Sequence, residues 1–317
     1  MKFEERTRVE RERIHAAMSE MSNRMLAFGE IIWDVYPDAE HIGGASFNFC
    51  AHFVRMGGLA AMVSGVGDDR LGDAALEKVR GFGISDAYIQ RTDKDTGRCM
   101  VTLNDKGIPD FHVLTDTAYD NIHLSDETIA QIQKEKFQAL YFGTLIQRSS
   151  VSRGSLHRLL SRCSFDNIFC DVNIRRGCCT PETLAFCLDH ATVLKLNRDE
   201  ALSIAGERGI SGNFETIART LCHTLPHTRV VIITLDADGS TVYGREEDRC
   251  VTVPNPAGTK VVSTVGAGDS YAAAFMYALM AGEGLEHAVQ KASRISNFVV
   301  ANQAAVPDYN AAALLAE

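Results

Sequence analysis

Short apolar runs alternate along the chain with segments in which apolar residues recur at helical spacing. A short apolar run indicates a buried strand, whereas recurrence at every third or fourth position indicates a helix. Repeated strand and helix units predict an α/β fold with a mostly parallel central sheet and helices on both faces. The strand candidates lie at 61–64, 139–142, 167–170, 192–196 and 230–234.

Glycines mark the ends of two predicted helices near the N-terminus. The helix at 46–56 carries Phe49 and Phe53 on one side and is followed by glycine, a common signal for the end of a helix. The helix at 71–82 is also followed by glycine. The apolar residues of 26–33 precede both helices and predict a single first buried strand.

Charge and turn residues divide the chain into an extension, a main domain and a lid. Residues 1–24 are highly charged and lack a wide apolar stripe, so we expect a disordered or frayed-helix extension ahead of a domain at 25–317. Apolar segments flank a glycine-containing turn at 104–107 and predict a β-hairpin. The segments around 34–44 and 97–118 are interpreted as a small β lid, whose edge offers a second copy a strand for pairing as a homodimer.

The composition and net charge argue against several classes of partner. The 317-residue chain is 45% hydrophobic and 23% charged, which is ordinary for a globular protein with a large core. Its formal charge of −9 and pI near 5.6 argue against a nucleic-acid groove or an anionic membrane surface, since both need clustered Lys and Arg. No run reaches the ~18 apolar residues of a membrane helix, and the first residues lack an apolar signal core, so a cytoplasmic location is predicted.

The cysteines give no sign of a metal site or a disulfide framework. All nine lack Cys-x-x-Cys spacing, which argues against structural zinc. An odd number in a chain of this length indicates reduced thiols and again a cytoplasmic protein.

The segment 261–270, Val-Val-Ser-Thr-Val-Gly-Ala-Gly-Asp-Ser, carries the strongest chemical signal. Gly266, Ala267 and Gly268 let the backbone turn tightly into an alanine-rich helix, whose first N–H groups can face an anion. Asp269 follows at once. Such an arrangement suits phosphoryl transfer, because the N–H groups stabilise charge on the moving phosphoryl group while the carboxylate accepts a hydroxyl proton. The alternative is that Asp269 only caps a buried helix.

Two better-known phosphate motifs are absent. The chain contains no G-x-x-x-x-G-K-[ST] sequence, and neither 65–67 nor 266–268 continues to the third glycine of G-x-G-x-x-G. A P-loop NTPase or a Rossmann dehydrogenase is therefore not favoured.

Two signatures resemble those of the PfkB, or ribokinase-like, carbohydrate kinases. Val-Gly-Ala-Gly-Asp-Ser before an alanine-rich helix resembles the C-terminal signature of that family. The N-terminal signature is resembled by GGASFN at 43–48, RMGG at 55–58 and GVGDDRLG at 65–72. Within the family the chain is most similar to fructokinases, in the strings GEIIWD at 29–34, DNI at 120–122, DVNIR at 171–175 and KLNRDE at 195–200.

The resemblance implies a ribokinase-like fold and an ATP-dependent sugar kinase, with fructose as the favoured acceptor. Asp269 would be the general base, and Gly266, Ala267 and Gly268 would form the anion site, with Gly268 also contacting ATP. Without the resemblance, Asp34 is interpreted as a turn residue and Asn48 as a helix cap. Sugar-binding roles are implied for Asp34, Gly43, Gly44, Asn48 and Arg175.

Other positions of the family pattern imply contacts with ATP and magnesium. Asn197 and Glu200 resemble an N-x-x-E element that organises Mg²⁺, with Glu200 acting through water. The stretch at 234–239 resembles a nucleotide loop, although Asp236 stands where glycine is usual. Contacts with the nucleotide are implied for Asn173, Asn197, Thr234, Gly239 and Asn297.

The chain departs from the family pattern at two places. Ser263 stands where the family commonly has a carboxylate associated with an activating monovalent cation, so we expect potassium to change the rate little. Ser46 and Phe47 replace the Pro-Ala often seen in fructokinases, which leaves the shape of the sugar pocket open.

Three other acceptors and one other class of function stay open. The acceptors are 2-keto-3-deoxygluconate, ribose and a nucleoside. The residue types predicted for the sugar pocket do not distinguish among these acceptors. The other class is a sugar-binding sensor that keeps the fold without turnover. Retention of Asp269 with Gly266 and Gly268 argues against a sensor, because binding alone does not require a base.

Overall fold

Two sheets form the frame of the computed structural model, which describes residues 23–103, 109–256 and 258–316. The central sheet has the strand order β13-β12-β11-β10-β9-β8-β1-β4-β5, and the second sheet has the order β3-β2-β6-β7. The strands are, in chain order, β1 (Arg24–Phe28), β2 (Ile32–Val35), β3 (Glu40–Gly43), β4 (Leu59–Gly67), β5 (Ser85–Thr92), β6 (Gly97–Leu103), β7 (Pro109–Val113), β8 (Ala139–Gly143), β9 (Asn167–Asp171), β10 (Val193–Asn197), β11 (Val230–Thr234), β12 (Ser240–Gly244) and β13 (Arg249–Val253).

Seven strands of the central sheet run parallel to one another, as the alternating pattern predicts: β1, β4, β5, β8, β9, β10 and β11. Strands β12 and β13 extend the sheet in antiparallel pairing. A parallel sheet is covered on both faces, so its strands are near-continuous apolar runs. In β8, for example, Ala139, Leu140, Tyr141 and Phe142 are all buried.

Helices cover both faces of the central sheet, which confirms the predicted layers. One face is covered by α1, α2, α8, α9 and α10, and the other by α3 to α7. In the described ranges the helices are α1 (Ala45–Arg55), α2 (Arg70–Gly81), α3 (Asp126–Glu135), α4 (Ser150–Arg162), α5 (Pro181–His190), α6 (Arg198–Glu207), α7 (Phe214–Thr224), α8 (Ala267–Met280), α9 (Leu285–Val300) and α10 (Ala311–Ala316).

The prediction of one strand over 26–33 is wrong, because the chain changes sheets there. β1 pairs with β4 and β8 in the central sheet, whereas β2 pairs with β3 and β6 in the second sheet. Between them lies Glu30, whose buried carboxylate accepts the backbone N–H of Ala45 at 2.8 Å. Such a contact needs the chain to leave the strand. Asp34 therefore lies in the second sheet and not at the end of a core strand.

The second sheet is the predicted β lid. β6 and β7 form the predicted antiparallel hairpin, and β2 and β3 complete the sheet. The indole N–H of Trp33 donates to the carbonyl oxygen of Leu71 at 3.1 Å, which ties the lid to α2. The predicted turn at 104–107 lies outside the described residues. Residues 1–22 of the predicted extension also lie outside them, and β1 begins at Arg24.

Two negative observations hold for the part of the chain that the structure describes. No helix there has both the length and the apolar character needed to cross a bilayer. No disulfide joins the cysteines there.

Candidate active site

Polar side chains collect at the carboxyl ends of the central strands, where open α/β sheets bind ligands. β9 ends at Asp171, β10 at Asn197 and β11 at Thr234. The last two residues are partners in the strand register. The N-terminus of α8 lies against this edge, because the charge of Asp171 acts on Asp269 in the first turn of that helix.

The turn before α8 needs glycine for two reasons. Gly266 is the N-cap of α8 and has a φ of 81°, which lies in the left-handed region. A Cβ atom there would also lie 2.5 Å from the carbonyl oxygen of Ala305. The first hydrogen bond of the helix runs from the N–H of Ser270 to Gly266 at 2.9 Å. The N–H groups of Gly268 and Asp269 precede that bond, so they are suited to an anion.

Asp269 is not the capping residue of α8. The cap position belongs to Gly266, and Asp269 is the third residue of the helix. Its Oδ2 accepts a hydrogen bond from Nδ2 of Asn48 at 2.8 Å. Burial raises the pKa of Asp269 to about 6, although the bond from Asn48 and the charges of Lys195 and Arg175 oppose the rise. A carboxylate with this pKa is ionised at neutral pH and close to the range in which a general base works best.

The start of α1 places Asn48 against Asp269. Gly44, with a φ of 101°, is the N-cap of α1, and the side chain of Glu30 accepts hydrogen bonds from the N–H of Ala45 and the hydroxyl of Ser46. Asn48 is therefore not a helix cap. Its Oδ1 is buried and, among the described residues, has no hydrogen-bond partner. That oxygen can accept a hydrogen bond from a ligand hydroxyl.

Arg175 links Asp34 to Asp269 electrostatically. Oδ2 of Asp34 is 3.5 Å from the place that a Cβ of Gly43 would occupy, so this glycine leaves room beside the carboxylate. Burial raises the pKa of Asp34, and the charge of Arg175 opposes the rise. The same guanidinium acts on Asp269. The charge of Arg175 thus reaches both Asp34 and the predicted base, and Asn48 bonds that base directly.

A buried ion pair beside the anion turn was missed in the sequence. Nζ of Lys195 on β10 donates to both carboxylate oxygens of Asp171 on β9, each at 2.9 Å. It also lies 3.3 Å from the place of a Cβ on Gly268. Although burial opposes its charge, Asp171, Glu200 and Asp269 raise the pKa of Lys195. The sequence did contain a signal for this ion pair, namely a lysine inside an apolar strand. A lysine is almost never fully buried without a partner, so Lys195 needed an acidic residue nearby.

Comparison with known proteins gives the family. The pfkB family carbohydrate kinase pattern matches residues 24–311. The chain is a pfkB family carbohydrate kinase. It is thus an ATP-dependent kinase with the ribokinase-like fold, as the two signatures predict.

Individual relatives carry different names at low identity. The chain is 28% identical to a fructokinase of Rhizobium leguminosarum bv. trifolii over 80% of this chain and 79% of that one. It is 26% identical to a ribokinase of Mus musculus over 82% of this chain and 80% of that one. A structure of a fructokinase with bound ATP from Xylella fastidiosa superposes with a TM-score of 0.76, at 18% identity, covering 93% of this chain and 98% of that one. That structural likeness shows the fold.

In this kinase Glu200 connects two loops of the site. Its Oε1 accepts the N–H of Ile174 at 2.7 Å, and its Oε2 accepts the N–H of Asn197 at 2.9 Å. Burial raises the pKa of Glu200. Asn197 caps α6 by accepting the N–H of Glu200. The residue before Ile174, Asn173, has a φ of 39°, so Glu200 also holds the unusual turn that carries Asn173 and Arg175.

The predicted nucleotide loop of the kinase follows β11. Asp236 has a φ of 52°, a conformation that favours glycine. This conformation explains why the family pattern usually has glycine at this position. Gly239, with a φ of 94°, approaches the backbone of residues 253–255 too closely for a side chain. Arg198 donates to Asp238 at 2.5 Å and to the backbone of Leu235 at 2.8 Å, so it holds the loop beside Thr234.

Asn297 lies on α9 near the anion turn. The hydroxyl of its neighbour Ser296 donates to the carbonyl oxygen of Ala267 at 3.0 Å. In the described ranges no hydrogen bond joins Asn297 or Gly239 to Asp269. The contacts of these two positions with nucleotide stay predictions.

Proposed function

We propose that this kinase transfers the γ-phosphoryl group of ATP to fructose, with Asp269 as the general base. The observation that carries the proposal is the hydrogen bond from Asn48 to Asp269, beside Arg175, whose charge acts on both Asp269 and Asp34. A buried carboxylate held in one orientation, with a raised pKa and sugar-binding groups around it, is the arrangement that activation of a hydroxyl requires.

The proposed step is a direct, in-line displacement. The acceptor hydroxyl gives its proton to Asp269 while its oxygen bonds to the γ-phosphorus and the bond from that phosphorus to the ADP oxygen breaks. No covalent enzyme intermediate is needed. In this proposal, negative charge on the phosphoryl group is stabilised by the N–H groups of Gly268 and Asp269 and by the ammonium group of Lys195, which lies beside Gly268.

The polar groups around Glu200 suit a magnesium ion that keeps its water shell. Both oxygens of Glu200 already accept backbone N–H groups, and the described residues contain no cluster of three or more His, Cys, Asp and Glu side chains suited to a metal. Magnesium retains several waters and needs few direct protein ligands. When bound with ATP, the ion neutralises phosphate charge. Asn197 and Glu200 would hold its water molecules.

The charges around the acceptor side favour a neutral sugar. Asp34 and Asp269 place two carboxylates there against one guanidinium, that of Arg175. A sugar acid such as 2-keto-3-deoxygluconate would add a third negative charge, whereas the hydroxyls of a neutral sugar can donate to Asp34 and to Oδ1 of Asn48. Among neutral sugars, fructose is favoured by the motif strings and by the rhizobial fructokinase.

A panel of acceptors tests the choice of sugar. ADP formation is measured with magnesium and ATP against fructose, ribose, 2-keto-3-deoxygluconate and adenosine. We expect the highest kcat/KM with fructose, because that value reports transition-state binding. A higher kcat/KM for any other member of the panel contradicts the proposed acceptor, and a preference for the sugar acid also contradicts the charge argument.

Replacing Asp34 by Ala is expected to weaken sugar binding far more than ATP binding. The sugar loses a charge-assisted hydrogen bond worth about 1.5–3 kcal/mol, so its Kd should rise about 10- to 150-fold. Calorimetric titration measures both ligands. Glu40→Ala is the matched control, because Glu40 lies on the opposite face of the lid and pairs with Arg70. Unchanged sugar affinity in Asp34→Ala would exclude the proposed role.

The cytoplasmic location and the pairing of two copies through the lid stay predictions. Their support is the composition of the chain and the presence of a four-stranded lid with β3 and β7 at its edges.

A further inference from the structure

The backbone behind the anion turn belongs to the segment that connects α9 and α10. The ideal Cβ position of Gly266 lies 2.5 Å from the carbonyl oxygen, 2.8 Å from Cα and 2.9 Å from Cβ of Ala305. A side chain at position 266 would overlap Ala305, so glycine lets the turn pack directly against the backbone of Ala305. The position of Ala305 therefore supports the position of Gly266.

Ala305 is held by a buried histidine of α1. Nε2 of His52 lies 2.9 Å from the carbonyl oxygen of Ala305, and Nδ1 lies 2.8 Å from the hydroxyl of Tyr309. A carbonyl oxygen only accepts, so Nε2 carries the proton and Nδ1 accepts from Tyr309. Burial lowers the pKa of His52 to about 4, so the ring is neutral at physiological pH and this tautomer persists.

One helix face contacts both parts of the proposed machinery. Asn48 and His52 are four residues apart on α1, so their side chains lie one above the other on the same face. Asn48 binds the carboxylate of Asp269, and His52 binds the carbonyl group behind Gly266. The proposed base and the proposed anion turn are therefore aligned on a common support.

A second residue of α1 strengthens the attachment of this segment. Arg55 pairs with Asp308 at 2.6 Å, and its guanidinium lies 5.4 Å from the centre of the Tyr309 ring. The ring of Tyr309 also contacts Phe298 on α9. The segment at 305–309 is thus fixed to α1 at several points, of which the bond from His52 is the one next to Gly266.

We propose that His52 is a positioning residue for phosphoryl transfer, which rests on the proposed function of Asp269 and the anion turn. The hydrogen bond from Nε2 to Ala305 holds the backbone against which Gly266 packs, and thereby holds the N–H groups of Gly268 and Asp269 in the orientation that the reaction needs. A misplacement of about 1 Å at a site remote from the chemistry can cost about 10²-fold in rate. The effect is expected in kcat rather than KM, because His52 is fully buried and cannot be reached by a ligand from solvent.

The test compares three replacements of His52 that differ in reach. Leu removes both hydrogen bonds, Asn reaches about as far as Nδ1, and Gln reaches about as far as Nε2 and can donate to Ala305. We expect His52→Leu and His52→Asn to lower kcat about 10- to 100-fold with little change in KM for sugar or ATP. His52→Gln should recover most of the kcat. Each variant is assayed well below its own melting temperature.

Two further variants distinguish a failure of the inference about His52 from a failure of the proposed function of Asp269. Val54→Ala is the matched control, because Val54 lies on α1 but faces Gly83, and it should keep kcat even where it lowers stability. Asp269→Asn is measured in parallel. Wild-type kcat in His52→Leu, or equal kcat losses in the Leu, Asn and Gln variants, overturns the inference about His52 as long as Asp269→Asn is inactive. Full turnover in Asp269→Asn overturns the proposed function itself.

Discussion

Replacing Asp269 by Asn is expected to lower kcat by about 10²–10⁴-fold, the usual contribution of a general base. Asn keeps the size of the side chain and can still accept the hydrogen bond from Asn48, but it cannot take up the hydroxyl proton. Folding and ATP binding should persist. Steady-state kinetics, thermal melting and calorimetric titration of ATP on one preparation measure turnover, folding and ATP binding. A variant that keeps more than about a tenth of wild-type turnover contradicts the assignment.

The pKa of Asp269 adds a pH test to this prediction. Since the base must be ionised, wild-type kcat/KM, which reports the free enzyme, should fall as the pH drops through about 6. Folding raises this pKa from 3.8 to about 6. Ionisation of Asp269 is therefore less favourable in the folded than in the unfolded protein, and the wild type loses stability as the pH rises from 3.8 to about 6. The melting temperature of Asp269→Asn relative to the wild type should therefore rise from acid to neutral pH. Asp126→Asn, which changes a first-turn carboxylate of α3, is the matched control and should keep turnover.

Replacing Lys195 by Met is expected to destabilise the protein by about 3–5 kcal/mol, because it leaves a buried carboxylate without its partner. Asp171 is 1% exposed, so water cannot compensate the charge. Turnover should also fall, by about 10²–10³-fold, since a charge beside the anion turn is lost. Urea unfolding and steady-state kinetics measure the two effects.

A double replacement separates these two effects. In Lys195→Met with Asp171→Leu both charges of the pair are gone, and such exchanges are often neutral for stability. We expect the double variant to regain most of the lost stability while its kcat stays low. Recovery of both stability and kcat would show that the ion pair is only structural.

The amino-acid sequence by itself determined the architecture of this kinase. β8 to β11 are apolar runs because helices cover both faces of a parallel sheet, and such runs are visible without any knowledge of their neighbours. The anion turn was also visible, because Gly266, Ala267, Gly268 and Asp269 are consecutive. Local periodicity and consecutive motifs are properties of a short stretch of chain, so they need no tertiary information.

Tertiary structure alone decided which residues meet. The bond between Asn48 and Asp269 joins positions 221 residues apart, and the bond between His52 and Ala305 joins positions 253 residues apart. No local pattern encodes such pairs, because the first arises from the packing of α1 against α8 and the second from the contact of α1 with the segment between α9 and α10. The path of 26–33 was decided in the same way. Each half of that segment is apolar enough for a core strand, and the partners available to each half, β4 and β8 or β3 and β6, assigned them to different sheets.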